Sequence, residues 1–239
     1  MKILAIETST LLGGAALADD SSGLIAEIRL NVKSTHSERL MTEVDHLLSR
    51  SGLKVSEIDV FAVSVGPGSF TGLRIGVSTV KGLSYATGRP IVTIPTLEAF
   101  AWSFPFSRYP VCILLDARKK EVYAALFRWA DGGFVRLIAE ASIRADALLE
   151  EIKARDGEGN RGFFEKIIFA GEGALLYKKE ITESLGGTAV FAPPEKMVPS
   201  PSVVASVGLR KAANGEFSEP VSLVPLYIRR SEAEIKWNR

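Results

Sequence analysis

Short apolar runs alternate with amphipathic stretches along the chain, and their order predicts the elements. Residues 2–6 are apolar and end at Glu7-Thr8-Ser9-Thr10; a second run, 14–18, and a third, 24–30, follow across short turns. That is the pattern of three antiparallel strands in a meander. Thr35 and Glu38 have the spacing of a capping box, and Leu40, Met41, Val44, Leu47 and Leu48 then recur at helical spacing up to a stop at Gly52. Residues 58–65 are almost continuously apolar, as expected of a central or parallel strand covered on both faces. This run ends in the sharp turn Gly66-Pro67-Gly68.

The spacing predicts the next helix over residues 70–87, with charge only at Arg74 and Lys81, seven positions apart on one narrow stripe. Gly72 and Gly76, then Ser78, Gly82 and Ala86, keep small residues at four-residue spacing and admit close backbones. Such a helix requires contact on two sides. One side is expected on the sheet. The other is expected to meet a partner molecule or the second lobe, and the helix carrying Leu40 to Leu48 is its natural neighbour, the pair making half of an intermolecular four-helix bundle.

A strand over 91–94, a short helix over 97–102 and a linker over 105–110 close an N-terminal lobe, residues 1–104. The C-terminal lobe, 105–239, opens with an apolar run at 111–115, Asp116 at the turn and a returning run at 122–127. This repeats residues 3–6, Glu7 and 14–17, and suggests an internal duplication in which an acidic residue ends the first strand of each lobe. Helices over 146–155, 174–184 and 202–213, a polar glycine-rich loop to Gly162 and a strand over 166–170 complete the second lobe. Strands and helices alternating in both halves make the chain an α/β protein.

Composition narrows the function. With 239 residues and 46% hydrophobic content the chain builds real cores. Its 29 basic and 28 acidic residues give no global field to attract a polyanion, so autonomous nucleic-acid binding is disfavoured and any RNA role needs a partner's charge. The single cysteine, Cys112, lies in an apolar run and reads as a buried structural thiol, suiting a reducing compartment. Glu7 interrupts the first apolar run, and no stretch reaches the roughly 18 apolar residues of a membrane span. A cytoplasmic, soluble protein is expected.

Two strand-meander-helix halves with an acid at each first hairpin resemble actin, the heat-shock ATPases and the sugar kinases, which hold phosphate between lobes. Such enzymes surround phosphate and Mg²⁺ with Asp and Gly-rich hairpins. Here the cofactor-binding candidates are Glu7, Thr8, Ser9 and Asp116, with the strand-to-helix turn at Gly171 and Gly173. The Arg118-Lys119-Lys120 turn reads either as a phosphate contact or as a solvated hairpin tip. Gly66-Pro67-Gly68 lacks the following Lys-Ser or Lys-Thr of a phosphate loop. His36 and His46 stand ten apart with the only cysteine far away, so no metal centre is expected; they read as serving the helix start and an exposed helix face. Ser69 has no nucleophile context and reads as a helix cap, so no catalytic residue is assigned.

The segment Gly66-Pro67-Gly68-Ser69-Phe70-Thr71-Gly72-Leu73-Arg74-Ile75-Gly76 and the helix after it resemble the TsaB family, once called YeaZ. The stretches at 3–9, 36–40, 116–123 and 225–229 are similar to it as well. The resemblance implies a part in making threonylcarbamoyladenosine in tRNA, pairing with the larger relative TsaD, with TsaE joining. The outward apolar surface of the two helices, exposed in the isolated chain, is expected to support a homodimer as a substitute; no intrinsic cofactor is expected, an adenine nucleotide entering only with the complex. TsaD carries a His-x-x-x-His metal pair on the helix after the shared motif, and by position those histidines fall on Thr96 and Phe100, with Glu98 between them. Neither residue replaces imidazole. A catalytically inert scaffold is therefore expected, docking through Leu40, Met41, Val44, Leu47, Leu48, Phe70, Leu73, Arg74, Val77, Val80 and Lys81. The competing class is an enzyme of the same fold, either a nucleotide hydrolase or phosphotransferase or a peptidase. A third reading is tRNA binding by Arg229, Arg230, Lys236 and Arg239.

Overall fold

The computed structural model describes residues 1–31, 36–157 and 164–229. The capping box at Thr35 and Glu38, the His36 side chain, the loop to Gly162 and the basic residues Arg230, Lys236 and Arg239 lie outside them. The described chain forms two compact units, Met1–Ala99 with Pro199–Arg239, and Phe100–Val198.

In the first unit β1 (Lys2–Glu7), β2 (Leu12–Asp19) and β3 (Gly23–Asn31) form the expected meander. After α1 (His36–Arg50), β4 (Val60–Gly66) joins β1 in parallel; α2 (Phe70–Thr87) and β5 (Ile91–Pro95) follow. The sheet order is β3-β2-β1-β4-β5. β4 is buried at every position because it lies between β1 and β5 and is covered on both faces. Alternation assigns the faces: Leu4, Ile6, Phe61 and Val63 join the cluster with α1 and α2, while Ile3 and Ala62 meet the helix that covers the reverse side.

That helix corrects the lobe boundary. The 202–213 helix, expected in the second lobe, is α7 (Pro201–Ala213), and it returns to the first unit to pack on β1, β2 and β4. A sheet with two apolar faces needs two covers, and α1 with α2 supplies only one. The chain after α7 also stays here: Ser218 bridges Ile91, and the Leu226 amide donates to the Val65 carbonyl at 2.7 Å.

The second unit begins at Phe100, within α3 (Thr96–Ala101), five residues before the expected boundary. Its sheet holds β6 (Val111–Arg118), β7 (Glu121–Ala130), β8 (Gly133–Arg144), β9 (Ile167–Ala170) and β10 (Ala189–Phe191). The helices are α4 (Ala145–Gly157), α5 (Glu172–Leu176) and α6 (Lys178–Leu185); α7 (Pro201–Ala213) closes the series. Read from the other edge, the order β8-β7-β6-β9-β10 reproduces the first sheet, with two antiparallel pairings followed by two parallel ones. The duplication is therefore real at the level of topology. Cys112 is fully buried in this core, where burial pushes its thiol pKa up. Two strands, β8 and β10, were not legible in the sequence pattern, and the 174–184 helix is two helices broken at Tyr177. Among the described residues, no helix is long and apolar enough to cross a membrane.

Candidate functional site

The end of β1 is locked to the start of α2. Ser69 caps the helix, its hydroxyl accepting from the Gly72 amide at 3.3 Å, and its own amide donates to the Ser9 carbonyl at 2.7 Å. The Thr8 hydroxyl donates to the Gly72 carbonyl at 2.8 Å. A side chain on Gly68 would collide with Ser9, and one on Gly72 or Gly76 with Thr8. These glycines permit a helix to lie against a strand end, the close-packing role expected of them. Glu7 is wholly buried; one carboxylate oxygen accepts from the Ser9 amide at 2.6 Å and the other from the Ser64 hydroxyl.

Glu7, Thr8 and Ser9, expected as cofactor-binding candidates, are at most 2% exposed. Glu7 and Thr8 hold the motif in place, and the buried Ser9 hydroxyl has no partner. In the second unit Asp116 accepts from the Arg118 amide at 2.8 Å and lies beside Arg118 at 3.4 Å. Burial raises the pKa of Glu172, and the Asp116 charge raises it further; the same two causes act on Tyr177. Gly171 and Gly173 lie against Leu114, and a side chain on Gly171 would meet its backbone. This turn, a candidate for nucleotide or a plain strand-to-helix connection, makes a helix-on-strand contact that mirrors Gly72 on Thr8. Arg118, Lys119 and Lys120 form an exposed hairpin tip, all three in the left-handed region.

The partner residues require a larger correction. Leu40, Val44, Leu47, Leu48, Leu73, Val77 and Val80 are 0–7% exposed and belong to the core of the first unit, not to an outward face. The stripe that made α1 and α2 amphipathic is the one the sheet covers. Arg74 and Lys81 are also engaged: the Arg74 Nε donates to the Tyr227 hydroxyl at 2.9 Å, and the Lys81 ammonium donates to the Val221 and Leu223 carbonyls at 3.3 and 3.2 Å. Phe70 stacks on Tyr227 with centroids 4.7 Å apart. The second side of α2 is thus partly covered by the chain after α7. α1 and α2 leave to solvent Met41, Ser78, Gly82, Ala86 and Tyr85, the last 94% exposed, beside polar residues that include Thr42, Asp45 and Ser49 on α1. The small residues therefore split, Gly72 and Gly76 facing inward and Ser78, Gly82 and Ala86 outward. The exposed His46 has Glu43 3.8 Å away.

Thr96 and Phe100, the positions aligned with a metal pair in TsaD, are fully buried. The Thr96 hydroxyl accepts from the Gly66 amide at 3.1 Å, so it fastens the motif's first glycine. Neither residue offers a metal a donor of imidazole type. No group of three or more His, Cys, Asp or Glu among the described residues is arranged to hold a metal ion.

A family model described as TsaD, tRNA N6-adenosine threonylcarbamoyltransferase, matches residues 24–237. The chain is 31% identical over 237 residues to the tRNA threonylcarbamoyladenosine biosynthesis protein TsaB of Bacillus subtilis, covering 99% of this chain and 98% of that one. Among solved structures it resembles YeaZ from Pseudomonas aeruginosa at TM-score 0.77 and 24% identity, over 95% of this chain and 100% of that chain. A likeness of fold alone extends to the ethanolamine utilization protein EutJ from Carboxydothermus hydrogenoformans, at TM-score 0.50 and 11% identity, over 86% of this chain and 89% of that chain. The duplicated sheets and these neighbours give an α/β fold of two mixed five-stranded sheets with helices, shared with YeaZ and EutJ. Matched at 31% identity to a curated relative along almost its whole length, the chain belongs to the TsaB family, also called YeaZ.

Proposed function

We propose that the chain is a non-catalytic subunit in the threonylcarbamoyladenosine modification of tRNA, working by association with a TsaD-family enzyme, with TsaE joining the assembly. The observation that carries this reading is Thr96: where the enzyme family has a metal-binding histidine, this chain has a buried hydroxyl holding the Gly66 amide. The motif is kept as a packing device beside residues that cannot ligate. The chain brings no cofactor of its own to this reading, and adenine nucleotide enters with the assembled partners.

The docking surface is the solvent side of α1 and α2, with Tyr85 as anchor and Ser78, Gly82 and Ala86 admitting a partner helix. A second copy of the chain occupies the same surface when the enzyme is absent. The test is Gly82→Arg. A side chain at Gly82 meets open space in the lone chain, so the variant folds and melts at or above the parent's temperature. It is expected to lose copurification with the TsaD-family enzyme; retained binding sinks this interface. Measured ATP turnover or peptide hydrolysis by the pure chain, abolished by Glu7→Gln or Asp116→Asn in a folded variant, would overturn the non-catalytic assignment.

A further inference from the structure

The second unit carries an aromatic group that the partner reading leaves unused. Trp102, Trp129 and Phe134 pack edge to face with centroids 5.1–5.6 Å apart. Phe106 lies on Trp129 at 4.9 Å and a tilt of 55°, yet 80% of it is exposed. Its backbone stands at φ +62°, in the left-handed region that bulky residues avoid and Gly or Asn accepts. A strained backbone here presents an open ring instead of burying it, and such strain persists where the surrounding structure and function hold it.

The charges around the ring are largely paired. Of the three arginines in the segments that build the ledge, residues 100–110 and 127–136, Arg108 donates to Glu165 at 2.6 Å, Arg136 lies 3.7 Å from Glu140, and Arg128 alternates to the opposite face of β7 from Trp129. Arg136 lies over the Phe127 ring at 5.9 Å, opposite it in the β7–β8 pairing, and Arg108 over Tyr109 at 5.4 Å. An open aromatic face suits the planar face of a base, and the exposed Arg108–Glu165 pair two residues along the chain can open to a phosphate.

We propose that Phe106 and Trp129 form a stacking ledge for an unpaired nucleobase of tRNA, a contact that rests on the chain's part in tRNA modification. The ledge reads no sequence, because every base offers a ring face. It supplies the hold through stacking, consistent with a chain too neutral to gather RNA by charge.

The test uses the full chain, alone and with the TsaD-family enzyme, against an unmodified tRNA transcript and a fully paired RNA duplex. Phe106→Gly is expected to weaken tRNA binding about tenfold or more, to leave duplex binding and copurification with the enzyme unchanged, and to melt no lower than the parent because φ +62° suits glycine. Phe106→Trp, which keeps a ring, is expected to retain tRNA affinity. Unchanged affinity in Phe106→Gly overturns the ledge, as does an absence of tRNA binding by the parent in both settings. Loss of the enzyme with tRNA affinity intact also overturns it, marking a protein contact instead. If the parent fails to bind the enzyme at all, the scaffold reading fails, while the chain's own tRNA affinity still decides the ledge.

Discussion

Gly72→Ala and Gly82→Ala make the same change on the same helix, ten residues apart, and should move stability in opposite directions. A Cβ on Gly72 would overlap the Thr8 carbonyl oxygen by about 1 Å, measured against the 3.0 Å below which Cβ atoms essentially never come. The obstacle is backbone, so relief requires α2 to lift from β1. Overpacking of this kind costs about 3 kcal/mol, and the Thr8 to Gly72 hydrogen bond breaks with the lift, about 1 kcal/mol more. Helix propensity returns about 1 kcal/mol, leaving a net loss of about 3 kcal/mol. At Gly82 the added methyl meets open space, so only the propensity gain of about 1 kcal/mol remains. Urea denaturation of both variants, with slopes compared to the parent, measures the difference of about 4 kcal/mol. If the two variants fall within about 1 kcal/mol of each other, the glycines are not the contact described here.

Two further outcomes are expected from the second unit. The β6–β7 turn is a two-residue loop with both residues at positive φ, Lys119 at 52° and Lys120 at 64°. Asn-Gly is the preferred pair there, so Lys119→Asn with Lys120→Gly should raise stability by about 1–2 kcal/mol; calorimetry showing a loss would refute the turn assignment. Glu172 has a raised pKa from burial and the Asp116 charge, so its folded form holds a proton more tightly than the unfolded chain. The associated stability is present below the ordinary value of 4.5 and disappears as pH rises through the raised folded value. Glu172→Gln should therefore melt higher than the parent at pH 7, the advantage shrinking towards pH 4; a constant difference across that range would exclude this origin.

The two ends of α2 were legible because they carry local chemistry. Ser69 caps one end and Gly88, at φ 70°, closes the other. The destination of its apolar stripe was not legible, because Leu73, Val77 and Val80 have the same spacing whether their own sheet or a partner covers them. The clue was which small residues have no neighbour, and that needs coordinates. α7 was found as a helix but placed in the wrong unit; the signal was Gly208 at its centre, where a side chain would meet Ile3 and Ala62. β8 escaped because it is an edge strand with polar residues along it. The Asp131-Gly132 turn before it, both residues at positive φ, was a readable hairpin signal. The Phe106 ledge was unreadable, since the left-handed φ of one phenylalanine leaves no trace in the pattern.

The return of α7 to the first sheet has a consequence during synthesis. The reverse face of that sheet, with Ile3 and Ala62, has no cover until residue 213 has been made, and Phe100–Val198 is translated in between. At about 5–20 residues per second the nascent first unit waits roughly 6–23 s with one apolar sheet face bare. The second unit, continuous in sequence, can finish on the ribosome before the first. Chaperone dependence should therefore follow the interval between Ala99 and α7, and slow translation through the second unit should lower the yield of the first.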